Sequence, residues 1–378
     1  MKKILVIMIL MMTSLSAISC TTKPNMDYCV EGQVKGVYKC TKTWSTMFDT
    51  TVSLTLYLDK TERYDVETVF DDVEALLLKY HQYFDKYNEY PGVNNVYTIN
   101  ENNTEETIID QALFDALKYV LTNERSIKLE NTAMFNIALD PVLQIWHDAR
   151  ENPLCTSVFG QDTCPVPNES VFEATYNINP DDIILNEETL TISFAKPNMS
   201  IDLGGFGKGY ASEIVTDYLD LAGYSYILNA GNSNVKAGGV NPNNNDGFYY
   251  IVLLEPSFES YSSDYYVTLK IPKSISIVTS GNYQRYFIGS EDGLYYNHII
   301  DRRTYMPSGD KENPTAVSVL YEDGGMADIY STAVYLMGYT EGLAYVEATQ
   351  GLEAIWYLPD GSVEYSSGFE TYIYQLTN

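Results

Sequence analysis

The chain has 378 residues, with 51 acidic side chains against 23 basic ones and a formal charge of −28. That surplus of negative charge excludes nucleic acid as a partner and excludes attachment to anionic lipid headgroups through a basic patch. The length allows two domains or one large domain of two lobes.

Met1-Lys2-Lys3, the apolar run Ile4 to Met12, and small and polar residues ending in Ser16-Ala17-Ile18-Ser19-Cys20 predict a secretory signal. It is too short to stay as a spanning helix. A cysteine directly behind small residues marks a lipoprotein signal, although Ala17 stands where such signals usually have leucine. Cys20 is therefore expected to carry lipid once residues 1–19 are cut away. Residues 20–42 read as a polar tether ahead of one domain over 43–378. Cleavage removes Lys2 and Lys3 and no acid, leaving a charge of −30. An anionic ligand must enter against this field, so a metal cation or a local concentration of Lys, Arg and helix ends is expected at any phosphate site. Cys29 and Cys40, and Cys155 and Cys164, are close in sequence and suit two local disulfides outside the cytoplasm. Zinc is the alternative, but none of the three histidines lies near them.

Taken in order, Thr50 to Leu58 alternates as a strand. Val66 to Phe84 has helical spacing, as do Asp110 to Glu124 and Leu139 to Ala149. The polar gap Arg150 to Ser170 reads as a surface insertion pinned by its disulfide. Strands are predicted at 183–185, 190–194, 225–229, 249–254, 265–271 and 275–279, with two more flanking 285–300 and another over Ala316 to Tyr321. Ala327 to Met337 reads as a helix ending near Gly338, and 353–357 with 372–376 as a final hairpin. Helices and strands mix without regular alternation, so the class is α+β with mostly antiparallel sheet.

The stretch Ile201 to Val215 runs Asp-Leu-Gly-Gly-Phe-Gly-Lys-Gly between a strand-like segment and a helix-like one over Tyr210 to Leu221. Glycines let backbone N–H groups approach an anion, the helix N-terminus adds a favourable dipole, and Lys208 adds a mobile charge. A tight turn before a helix is the plainer reading. His298 precedes Ile300, Asp301 and two arginines, a fair setting for acid–base or phosphate work. Asp328 and Thr332 stand four apart and share one helix face, where a carboxylate and a hydroxyl can hold a hard cation. An N-cap and an ordinary helical threonine would also account for them.

These segments occur together with Met47-Phe-Asp-Thr, Tyr-Phe-Asp-Lys-Tyr87-Asn, Met134-Phe135-Asn136 leading into Asp-Pro-Val-Leu-x-Ile-Trp, and Thr279-Ser-Gly-Asn-Tyr-Gln-Arg285-Tyr. In this order the series resembles the ApbE-like family of FAD:protein FMN transferases, from about Thr43 to Gly338. The resemblance implies a two-lobed α+β domain that binds FAD between its lobes and uses Mg²⁺ to cleave the pyrophosphate. Such a protein moves FMN to a Thr or Ser hydroxyl of an exported or membrane partner and releases AMP. By motif position it implies a flavin site of Met47, Tyr87, Met134, Phe135, Asn136, Asp202, Lys208 and Ile300. It implies a metal held by the Gly205 carbonyl, Asp328 and Thr332, with His298 moving the proton and Asp301 or Arg285 orienting groups nearby. An FAD pyrophosphatase and a non-catalytic flavin-binding lipoprotein are the alternatives. The chain departs from the family at Phe206-Gly207, at Asn229-Ala-Gly-Asn232, and at Arg302-Arg303, where Pro-x-Thr-Gly is usual.

Overall fold

The computed structural model describes residues 28–158, 161–173, 176–258, 264–272, 274–308 and 313–377. The signal segment and Cys20 lie outside them. Nine strands form one antiparallel sheet in strict chain order: β1 (Cys29–Glu31), β2 (Tyr38–Met47), β3 (Thr50–Leu58), β4 (Ser225–Ala230), β5 (Asn234–Gly238), β6 (Ile275–Gly281), β7 (Ala316–Tyr321), β8 (Glu353–Tyr357) and β9 (Val363–Tyr365). The first two strands occupy part of the stretch expected to be tether, so the folded domain begins before residue 43. The Cys29–Cys40 disulfide joins them.

Period-two alternation sends each strand's side chains to opposite faces of this sheet. One face takes three helices, α1 (Val66–Phe84), α4 (Gly207–Leu221) and α5 (Gly324–Ala348). Val52, Leu54, Leu56 and Leu228 pack there with Phe70 and Val215, while Val317, Val319 and Trp356 pack with Ala333 and Val334. The other face takes a three-stranded sheet of 249–254, 265–271 and 373–376. There Tyr57, Ala237, Ile277 and Ile355 join Tyr249, Leu269 and Phe369 in a separate core. A further group of elements includes α2 (Gln111–Glu124), the helix α3 (Asp140–Arg150), and short strands at 107–108, 183–186 and 191–194.

The predicted elements are largely present, with two corrections. Residues 353–357 and 373–376 form no hairpin with each other: the first pairs with 363–365 and the second with 265–271. The helix over Ala327 to Met337 does stop at Gly338, whose φ of 76° breaks the helical path, and a second helical run follows directly to Ala348. The Cys155–Cys164 disulfide forms, but it pins a hairpin, 156–158 with 161–164, that joins the sheet of 286–289 and 295–297. Trp146 stacks on Phe172 and Tyr296 beneath that sheet, so the segment is part of a core and not a surface insertion.

Candidate functional site

The glycine stretch is where α4 meets α5. The helix starts at Gly207, earlier than its apolar pattern suggested, so Gly207 and Gly209 lie within it. Gly209 must be glycine, because a Cβ there would lie 2.1 Å from the Gly324 carbonyl oxygen and 2.7 Å from Asp328 Cγ. Its N–H donates to Asp328 Oδ2 at 2.6 Å. A helix-start amide expected to face a ligand anion thus holds the protein's own carboxylate.

Asp328 is buried, and Asn234 Nδ2 donates to its other oxygen at 3.0 Å. Burial raises its pKa, opposed by the Lys208 charge and by the bonds from Asn234 and Gly209. Thr332 stands one turn further along α5 and is half-buried. A Cβ on Gly205 would lie 3.8 Å from Thr332 Oγ1 and 3.0 Å from the Phe135 ring. The fold therefore brings Gly205, Thr332, Phe135 and the Asp328–Gly209 pair to one junction. Below it, Lys236 pairs with both oxygens of Glu213 at 2.6–2.7 Å, and Glu213 accepts the Gly324 N–H. Asn234 and Lys236 were missed. Their signal was alternation: two polar residues, two apart, facing inward on one strand.

His298 has an exposed ring whose Nδ1 lies 3.3 Å from the Arg285 carbonyl oxygen. A carbonyl only accepts, so Nδ1 carries the proton and Nε2 keeps its lone pair. Surrounding protein and then the charges of Arg285, Arg150 and Lys208 push its pKa well below the ordinary imidazole value. The ring is therefore neutral at pH 7. Among the described residues Arg285 and Lys208 form no salt bridge, and Arg150 meets one carboxylate, Glu151 at 3.5 Å, besides its 3.1 Å contact with His147 Nδ1. Three cations thus act on one imidazole, scarcely neutralised, in a chain of strong negative charge. Arg150, one residue of α3 beyond the predicted helix end, gave no motif signal.

Other predicted residues have different surroundings. The Asp301 carboxylate is clamped by Arg303 at 2.6–3.0 Å and accepts the Arg303 N–H, so it serves its own turn. Met47 is buried in the core of α1 and the sheet, and Ile300 in that of Trp146 and Phe287. The Asn136 side chain is engaged by Ala138 N–H and the Ile178 carbonyl, and Met134 is buried. Asp202 bonds the Gly204 N–H and pairs with Lys86, while Tyr87 beside it is half exposed, its ring 5.0 Å from Lys86 Nζ.

Oxygen donors of three kinds, carboxylate, hydroxyl and carbonyl, suit a hard divalent cation. Among the described residues no three His, Cys, Asp or Glu side chains converge, but this set needs only one carboxylate. No described helix is long and apolar enough to cross a membrane.

The profile of the ApbE family matches residues 48–356. A FAD:protein FMN transferase of Vibrio cholerae is 28% identical over 312 residues, covering 76% of this chain and 88% of that protein. One from Klebsiella pneumoniae is 26% identical over 244 residues, covering 64% and 69%. Among solved structures, the ApbE protein of Thermotoga maritima superposes with a TM-score of 0.72 at 20% identity, over 90% of this chain and 100% of that one. The flavin transferase ApbE of Vibrio cholerae gives 0.68 at 21%, over 88% and 99%.

Proposed function

We propose, for a chain that belongs to the ApbE family, that it is a FAD:protein FMN transferase acting on an exported or membrane protein. The observation that carries this reading is the junction of Gly205, Asp328 and Thr332, with the Lys208 charge acting both on Asp328 and on a neutral His298. The hydroxyl oxygen of an acceptor Thr or Ser attacks the phosphorus of the FMN half of FAD. A new P–O bond forms, the bond to the bridging oxygen breaks, and AMP leaves. The hydroxyl proton passes to His298 Nε2, whose other nitrogen is fixed by the Arg285 carbonyl. Lys208, Arg150 and Arg285 hold the charge that grows on the phosphate oxygens.

Gly205, Asp328 and Thr332 would hold Mg²⁺, with Asp328 aligned by Gly209 and Asn234. When bound, the ion neutralises phosphate charge. The lipoprotein signal and Cys20 support a lipid-anchored protein on the extracytoplasmic face, and the two disulfides fit that compartment.

The deciding experiment gives the metal-stripped protein FAD with and without Mg²⁺, and with and without an acceptor domain. Chromatography follows AMP and FMN, and mass spectrometry follows the acceptor. AMP together with an acceptor heavier by one FMN is expected. Equal AMP and free FMN without acceptor would make the protein a pyrophosphatase. Bound FAD without AMP under every condition would leave a flavin-binding protein.

A further inference from the structure

Beneath the glycine stretch lies a buried ion cluster that the transfer chemistry does not use. Lys86 Nζ is 2.8 Å from Asp202 Oδ2 and also contacts Asp140 Oδ1, and the Lys86 and Asp140 side chains are each 8% exposed. Three segments far apart in sequence meet on this one ammonium: the loop after α1, the first turn of α3, and the approach to α4. Burial alone would lower the pKa of Lys86, but the two carboxylates outweigh it and keep the group charged.

Asp202 passes the contact on. Its Oδ1 accepts the Gly204 N–H at 2.5 Å, and its own N–H donates to the Ile137 carbonyl at 2.9 Å. Ile137 directly follows Met134, Phe135 and Asn136, and Gly205 lies against Phe135. A buried ion cluster is a weak source of stability, since apolar packing of equal volume does as well. What it supplies is a fixed direction for each carboxylate.

We infer that Lys86 is a positioning residue, which holds Asp202 between its ammonium and the Gly204 N–H. It thereby sets the turn that presents the Gly205 carbonyl and Lys208, and with it the neighbouring Tyr87 ring. Lys86 touches no reacting atom and acts through Asp202. The inference rests on the flavin-transferase reading for its ligand, FAD.

The test is an FAD titration of the full-length protein in detergent, followed by flavin fluorescence without Mg²⁺ or acceptor, so that binding is read and not turnover. Lys86→Met is expected to weaken binding about tenfold or more, as loss of a supporting residue behind a ligand contact does, and Lys86→Arg to recover most of it. The double variant Lys86→Met with Asp140→Asn removes surplus buried charge. It is expected to regain melting temperature without regaining FAD affinity, and it replaces the single variant should that one fail to fold. Wild-type affinity in Lys86→Met, or affinity that returns with stability in the double variant, would overturn the inference. A wild-type protein that binds no FAD would instead overturn the flavin reading, and the inference with it.

Discussion

On one face of the nine-stranded sheet Asn234 and Lys236 meet Asp328 and Glu213. On the other face, one residue along the same strand, Val235 and Ala237 join Tyr249, Leu269 and Phe369. Both faces are buried, yet one is laced with paired polar groups and the other is apolar and aromatic. A buried polar group is costly unless bonded, so each one on the helix side needs a partner in a fixed place. Apolar contacts on the sandwich side are non-directional and tolerate change better in geometry than in volume. One face should therefore govern chemistry and the other stability.

The largest expected effect is on the polar side. Asp328→Ala should reduce Mg²⁺-dependent AMP release to background, because it removes the single carboxylate of the oxygen set. Full turnover in that variant would sink the metal assignment. His298→Gln should cost roughly a thousandfold in kcat, within the range for loss of a general base. In the wild type, kcat should fall only as pH drops through the depressed imidazole pKa, leaving the acid limb below the ordinary histidine value. An acid limb at or above that value would remove His298 as the base.

The apolar side should answer differently. Leu269 is fully buried between the two sheets, and Leu269→Ala should cost about 3 kcal/mol in denaturant unfolding. Turnover per folded molecule should not change, and a drop there would erase the contrast between the faces.

The last expected effect is confined to one pH window and is small at any single step of it; it lies at Glu124, at the end of α2. Burial raises its carboxyl from the ordinary glutamate value near 4.5 to about 7, against one bond from the Ile137 N–H and the charges of Arg125 and Arg302, with Asp181 adding to the rise. Between those pH values the folded protein keeps a proton that the unfolded chain has lost, so stability falls as pH rises through this window. Glu124→Gln should flatten that slope by roughly 3 kcal/mol in total across the window, read by thermal melts at stepped pH. An unchanged slope would show that Glu124 is charged throughout.

Local patterns carried much of the fold. Strands Thr50–Leu58, 249–254, 265–271 and Ala316–Tyr321 and the helix Val66–Phe84 have the bounds that alternation and helical spacing predicted. The motif series also placed Gly205, Lys208, His298, Asp328 and Thr332 among the candidates, since glycine spacing and an i, i+4 pair are properties of neighbours along the chain. Pairing was another matter. Residues 353–357 and 373–376 look alike as strands, and only packing sends the first to the helix-backed sheet and the second to the sandwich sheet.

The sequence by itself determined where most elements lie, the family, and the residue types available for holding phosphate and metal. The tertiary structure alone decided which charges meet. Lys86 reaches Asp140 and Asp202, Arg150 comes to bear on His298, and Asn234 reaches Asp328 across 94 residues. Periodicity is set by neighbours and can be read locally. A buried charge instead takes whatever partner the fold brings within reach, and nothing in its own neighbourhood along the chain names that partner.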